Sequence, residues 1–275
     1  MEIAGQPEAE EAFTRQSAIF DAVEQRNPIL KWMRKQVRDH VLKLLKPGSH
    51  ILELNAGTGL DALFFASFGH TVLATDISGG MIGQIKNKVA ELRLEDRIEA
   101  LQCSYTQLQN LPSQSFDYVF SNFGGLNCIP DLAPVIQECK RLLKPGGRLT
   151  VVVMPKMSPW EILALLKGNT KLAFRRFKKA GAVSHIEGVY FTTWYFSPRK
   201  LIRQFGSDFK LIGWQGLGSL VPPPHSEKFP ARFPVIFRLL VNIEERFSKS
   251  WPLRNWADHI ILSMELKHWA PLNER

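Results

Sequence analysis

The sequence predicts an α/β fold, an open and mostly parallel sheet with helices on both faces. Three observations predict it. Residues 51–59, Ile51-Leu52-Glu53-Leu54-Asn55-Ala56-Gly57-Thr58-Gly59, run from an apolar stretch into a glycine-bearing turn, and Leu60–Ala66 then reads as a helix. A second apolar run, Thr71–Thr75, ends in Asp76, 19 residues beyond Gly57. A third, Arg148–Met154, is a buried-looking β-branched run suited to a central parallel strand. Strand, tight turn, helix, strand and acid in this order place a ligand over a helix N-terminus and an acid beside its ribose.

The remaining elements follow in chain order. Residues 8–26 read as one helix, with Ala12, Ala18, Phe20 and Val23 inward. Asn27-Pro28 breaks that run, and proline suits the first turn of the next helix, Ile29 to Leu45. Leu30, Met33, Val37, Val41 and Leu44 recur there at helical spacing, and Lys46-Pro47-Gly48 ends it. Strand one is His50–Leu54 and strand two Thr71–Thr75. Ser78 is the expected N-cap of a helix reaching about Leu92, its first turn weakened by Gly79, Gly80 and Gly83. Strand three is about Arg97–Gln102, and strand four is Asp117–Ser121. The turn Asn122-Phe123-Gly124-Gly125-Leu126-Asn127 then sits at the carboxyl edge of the sheet, where such folds bind ligands. A helix Asp131–Leu143 ends at Lys144-Pro145-Gly146-Gly147. Ser197–Phe205 is the last core helix, Lys210–Gln215 strand six and Asp258–Lys267 the closing strand.

The turn after strand one decides the ligand class. Gly57, Gly59 and Ala62 fit the loose G-x-G-x-x-G/A pattern of dinucleotide enzymes. Glu53 argues otherwise, because a carboxylate at the strand tip repels a pyrophosphate. S-adenosylmethionine has no phosphate and carries an ammonium and a sulfonium, so a carboxylate there attracts it. The pocket therefore reads as one for a cationic nucleoside.

At this point the chain resembles the class I S-adenosylmethionine-dependent methyltransferases, and among them those of the ubiquinone/menaquinone-biosynthesis type. Glu53-Leu54-Asn55-Ala56-Gly57-Thr58-Gly59, Ala74-Thr75-Asp76-Ile77-Ser78, Ser115-Phe116-Asp117-Tyr118-Val119 and Leu143-Lys144-Pro145-Gly146-Gly147-Arg148-Leu149 carry the resemblance, in the family's order and spacing. It covers about residues 10–155. The chain departs from the family at Asn55, where glycine is usual; asparagine tolerates a left-handed backbone better than most residues.

The resemblance implies a Rossmann-like seven-stranded sheet of order 3-2-1-4-5-7-6, with the last strand antiparallel. It implies one methyltransferase domain, 1–275, divided into N-terminal helices over the cofactor (1–46), a cofactor-binding core (47–154), cap insertions (155–196 and 216–257) and a closing strand (258–267). The two insertions leave carboxyl-side strand ends, where loops set substrate choice, and read as a substrate cap. The cofactor residues it implies are Glu53, Asn55, Ala56, Gly57, Gly59, Asp76, Ile77, Met81, Ser104, Tyr105, Asn122 and Phe123. Phe20 and Arg34 are further candidates. Where the family often has an acid near the adenine, this chain has Gln102-Cys103-Ser104-Tyr105.

Methyl transfer from a sulfonium is an in-line displacement that needs alignment more than a base. No base announces itself: Tyr195, His185 and His225 are weak candidates in the cap, and His259 starts the last strand. The function implied is transfer of a methyl to a small or lipid-like acceptor. The alternatives are a non-catalytic S-adenosylmethionine-binding partner or sensor and, behind it, a nucleic-acid methyltransferase.

Composition sets the remaining bounds. With 275 residues and 45% apolar content the chain can bury a sizeable core. The acidic N-terminus, Met1–Glu8, has no apolar h-region, and no stretch approaches the ~20 apolar residues of a spanning helix. Cys103, Cys128 and Cys139 lack metal-ligand spacing, so no metal is expected, and a reducing, cytoplasmic setting is. The net charge of +9 is uneven. Residues 1–155 hold 16 Lys/Arg and 17 Asp/Glu; residues 156–275 hold 19 and 9, with six of the seven tryptophans. Lys171–Lys179 and Phe229–Phe247 read as basic amphipathic helices with aromatics, which suit weak contact with an anionic membrane surface. Ala173, Phe177 and Ala180 would share one side of the first.

Overall fold

The computed structural model describes residues 6–267. Met1–Gly5 of the acidic N-terminal stretch and Trp269 lie outside the described residues. Eleven α-helices and nine strands are described. Helices α1 (Gln6–Gln16), α2 (Phe20–Arg26) and α3 (Pro28–Leu42) lead into β1 (His50–Leu54), α4 (Leu60–Ser67), β2 (Thr71–Asp76), α5 (Gly79–Leu92), β3 (Ile98–Gln102) and β4 (Phe116–Ser121). Next come α6 (Ala133–Leu142), β5 (Leu143–Val153), α7 (Pro159–Ile162), α8 (Thr170–Phe174), β6 (Ala182–Ile186) and β7 (Val189–Thr193). The chain finishes with α9 (Pro198–Gln204), β8 (Phe209–Leu217), α10 (Phe229–Arg232), α11 (Pro234–Phe247) and β9 (His259–Leu266).

The main sheet has the order β3-β2-β1-β4-β5-β9-β8. With the hairpin β6–β7 set aside as an insertion, this is the expected 3-2-1-4-5-7-6. β9 runs antiparallel to both neighbours, β5 and β8, and the other pairings are parallel. One apolar cluster fills each face. Val119, Leu149, Leu262 and α6 build the first; Ile51, Val72, Phe120 and the buried stripe Ile29, Met33, Val37 and Val41 of α3 build the second.

Local chemistry explains most boundaries. Asn27 caps α3 by accepting from the Ile29 and Leu30 N–H groups, and Pro28 occupies the first position. Ser78 caps α5 by accepting from Met81 N–H. Three expectations differ. The single helix over 8–26 is two helices, because the chain turns at residues 17–19 to dock on α5. There the Ser78 and Thr14 hydroxyls share a hydrogen bond at 2.8 Å, and Gly80 gives Ser17 room that a side chain would fill. The Lys144-Pro145-Gly146-Gly147 turn lies within β5, where the register with β4 slips between Phe116 and Tyr118. Lys171–Lys179 is no amphipathic helix. α8 stops at Phe174 and a 3-10 turn, Arg175–Phe177, follows.

That last difference has an electrostatic cause. Arg176 is 2% exposed. Its guanidinium donates to Glu161 at 2.8 Å, to the Asp258 carboxylate at 2.8 Å and to the Pro155 and Asp258 carbonyls. Arg175 also donates to Glu161, at 2.7 and 2.8 Å. Two cations that looked free in the sequence are thus consumed inside the protein.

Candidate functional site

The site forms where β1, β2 and β4 end at the carboxyl edge of the sheet. The turn after β1 needs a left-handed backbone at three places: Asn55 has φ +48°, Gly57 +58° and Gly59 +79°. Asn55 adopts that conformation and also does what a glycine could not. Its side chain donates to the Asn122 carbonyl at 3.0 Å and accepts from the Ser121 hydroxyl at 2.6 Å. The turn after β1 is thereby tied to the turn after β4. Gly125 is required opposite, since a Cβ there would overlap the Asn55 amide.

Asp76, at the end of β2, closes the same turn. Its carboxylate accepts from Gly57 N–H and from Ser78 N–H, both at 2.9 Å. Burial pushes its pKa up to about 6, against the pull of these N–H groups and that of Ile77.

A buried charged layer lies under the turn. Arg34 of α3 donates to Glu24 and Asp61, and Arg38 donates to Asp61 at 2.6 Å. Burial opposes the Arg34 charge, but Asp61 and Glu24 hold its pKa above the ordinary arginine range. Burial likewise opposes the Asp61 charge, and Arg34 and Arg38 outweigh it, so its pKa is lowered. Glu53 is 1% exposed and its Oε2 has no partner. Burial, helped by Asp61, raises its pKa well above the carboxylate range despite Arg34 and Arg38. An unpartnered buried carboxyl oxygen at a strand tip is a polar group awaiting a partner.

These elements enclose a cavity of about 680 Å³, its open mouth included, which is within the range of small-molecule sites. Its wall contains Asn55, Gly57, Asp76, Ile77, Met81, Tyr105, Asn122 and Phe123 among the residues the sequence singled out. Glu53, Ala56, Gly59 and Ser104 stand behind the wall. Ala56 N–H donates to the Thr75 carbonyl at 2.9 Å, Gly59 precedes α4, and the Ser104 hydroxyl pairs with the Gln6 side chain. The polar atoms of Asn122 are engaged, Nδ2 donating to Asp61 at 2.8 Å and Oδ1 accepting from Phe123 N–H. Phe20 lines the cavity; Arg34 does not, and instead lies over the Phe123 ring at 4.6 Å.

Sequence reasoning missed the part of the wall from α1, namely Gln6, Ala9 and Phe13, together with Gly125 and Cys128. The signal available was the spacing Ala9, Ala12, Phe13, one narrow apolar stripe. The hairpin β6–β7 holds this helix in place: Phe13 meets Phe191 at 5.8 Å, and Ala9, Ala12, Cys128, Val189 and Phe191 form one buried cluster. The residues considered as bases lie elsewhere. His185 stacks on Tyr190 at the hairpin, Tyr195 lies under Arg176, and His225 is in a 3-10 turn. His259 is nearer. Its Nδ1 is 3.0 Å from the Asp258 carboxylate, and its ring meets the edge of Phe123 at 5.9 Å. β9 is antiparallel, so its first residue arrives at the carboxyl edge of the sheet.

Comparison with known proteins agrees with this layout. Residues 51–147 match the family described as a methyltransferase domain. A demethylmenaquinone methyltransferase of Clavibacter sepedonicus is 33% identical over 142 residues, which is 49% of this chain and 56% of that protein. The chain thus spans about half the length of the curated relatives it matches. Among solved structures, the [4+2]-cyclase SpnF superposes with a TM-score of 0.63 at 16% identity, over 98% of this chain and 99% of that one. The 1,6-didemethyltoxoflavin-N1-methyltransferase of Burkholderia thailandensis gives 0.57 at 15% identity, over 95% and 88%. These two likenesses concern the fold. Over residues 51–147 the chain is similar to methyltransferase domains, and over about half of its length it is similar to menaquinone and ubiquinone methyltransferases.

Proposed function

We propose that the protein binds S-adenosylmethionine in the cavity over β1 and β2 and moves its methyl group to a small or lipid-like acceptor. When bound, the cofactor supplies a methyl on a positively charged sulfur, which leaves as a neutral thioether. The chain's own residues fit that group. Asp76 retains unused lone pairs for the two ribose hydroxyls beside the N–H bonds it already accepts. Gly57, at positive φ, lets the ligand approach the backbone. Met81, Ile77 and Tyr105 offer the apolar slot for a purine, and the carboxyl of Glu53 beneath the turn favours a cation above it.

The observation that carries the reading is the unpartnered Oε2 of Glu53, buried behind the glycine turn. A cationic ligand above it lowers the raised pKa and draws the carboxyl into its charged form, which a pyrophosphate does not. The acceptor class rests on the quinone-directed relatives and on the aromatic segment 155–196, which we assign as the cap through its hold on α1. Proton removal, where the acceptor requires it, falls to His259, oriented by Asp258.

A second reading, a cofactor-binding protein that transfers no methyl, is favoured by the wall itself. Among the described lining residues there is no histidine or lysine. One experiment separates the readings: calorimetry with S-adenosylmethionine and NAD, followed by turnover of methyl-labelled cofactor with demethylated quinones. Tighter binding of NAD sinks both readings. Cofactor binding without release of S-adenosylhomocysteine leaves the second.

A further inference from the structure

We propose that α11, with the tryptophans that follow it, is a docking face for an anionic lipid bilayer surface. The proposal stands independently of methyl transfer. α11 is apolar on two sides. Phe237, Leu240 and Val241 pack inward on the core face that contains α3. Glu244, buried, accepts from the Ser219, Leu220 and Val221 N–H groups at 2.9, 2.9 and 2.7 Å. Three backbone donors on one carboxylate fix the rotation of the helix. Trp32 and Gln36 of α3 donate to Glu245 and hold its flank.

With the rotation fixed, the second apolar side faces outward. Val235 is 68% exposed and Leu239 56%, and Ile236 and Phe247 are exposed beside them. Trp251, 65% exposed, and Trp256 follow the helix in the chain and are also exposed, their rings 6.1 Å apart. A helix that packs only against its own protein turns such residues inward. An apolar outer face bordered by cations and tryptophan is instead the pattern of a helix lying in a membrane interface.

Charge selects the occupant. Arg232 lies over the exposed Phe233 and Arg246 over the exposed Phe247, Arg238 is exposed on the same helix, and among the described residues none of the three pairs with a carboxylate. The only carboxylates of α11, Glu244 and Glu245, are engaged toward the protein. A second copy of the chain seated here would set like charges against one another across a two-fold axis. An anionic bilayer neutralises them. The sequence pointed first to Lys171–Lys179, but Arg175 and Arg176 there are occupied by Glu161 and Asp258. Among the described residues no helix is long and apolar enough to cross a membrane.

Co-sedimentation of the full chain tests this with vesicles of phosphatidylserine in phosphatidylcholine against phosphatidylcholine alone. The expected result is binding to the anionic vesicles only, weakened by salt. Each cation carries roughly a five-fold share, so Arg232→Gln, Arg238→Gln and Arg246→Gln together should reduce partitioning about 100-fold. Val235→Ser with Leu239→Gln should abolish it separately, and circular dichroism should show both variants folded. Equal binding to neutral vesicles, no binding to either, or wild-type binding by either variant overturns the proposal. So does light scattering that shows a dimer which Leu239→Gln converts to monomer.

Discussion

Acidification should weaken cofactor binding while stabilising the empty protein, and Asp76 is the group responsible. Its pKa rises from 3.8 to about 6 on folding because the carboxylate is buried. That difference corresponds to ~3 kcal/mol against the charged form. A carboxyl group whose folded pKa is raised holds its proton more tightly when folded. Its favourable contribution to stability is therefore fully present below 3.8 and is lost as the pH rises through about 6. The cofactor makes the opposite demand. Ribose hydroxyls donate to a carboxylate, and hydrogen bonds to a charged group contribute ~1.5–3 kcal/mol. Affinity should be level above pH 6 and fall by roughly 10- to 100-fold below it, the equivalent of those bonds. Calorimetry across this range measures the affinity, and thermal melts of the empty protein measure the stability. Asp76→Asn is the better comparison, because its amide oxygen keeps an acceptor for one of the Gly57 and Ser78 N–H groups, whereas Asp76→Ala orphans both. The asparagine variant should bind ~2–3 kcal/mol more weakly at neutral pH and show no break near 6. A level profile in the wild type refutes the assignment of the ribose to Asp76. A break that survives in Asp76→Asn and disappears in Glu53→Gln transfers the titration to Glu53.

Three further outcomes are expected. Gly125→Ala should lower the melting temperature and cost ~1–3 kcal/mol of stability by forcing Asn55 aside, and adding Asn55→Gly should restore much of it; additive losses in the pair would contradict the contact. Arg176→Met should destabilise by ~3 kcal/mol, the low end for a broken buried ion pair, since Asp258 and Glu161 stay buried and keep only His259 and Arg175 as partners, and urea unfolding reads this directly. In the wild type, His259 and Arg176 overcome the burial of Asp258 and hold its pKa below the ordinary range, so the stability they contribute is lost only as the pH falls through that lower value. His259→Gln should reduce turnover of an acceptor that attacks only after losing a proton while leaving cofactor affinity unchanged, and an unaltered pH–rate profile would remove His259 from the reaction.

What could be read from the sequence is what local chemistry dictates. The β1 turn, the Ser78 cap and the β-branched run of β5 each depend on residues within a few positions of one another, and they appear where expected. Even the unusual Asn55 was legible as a backbone conformation. Its tie to Asn122 was not, because the partners are 67 residues apart and meet only when β1 pairs with β4. The same distance hid the wall contributed by α1, which is held over the cavity by a hairpin some 180 positions downstream. Helix α11 shows the limit most clearly. Its sequence has apolar residues on two sides, so periodicity alone cannot choose which side turns inward. A buried carboxylate makes the choice. Left without donors, Glu244 would cost far more than the difference between burying Leu239 and burying Leu240. The rotation that delivers Glu244 to the N–H groups of residues 219–221 is therefore the stable one, and the exposure of Val235 and Leu239 follows from it.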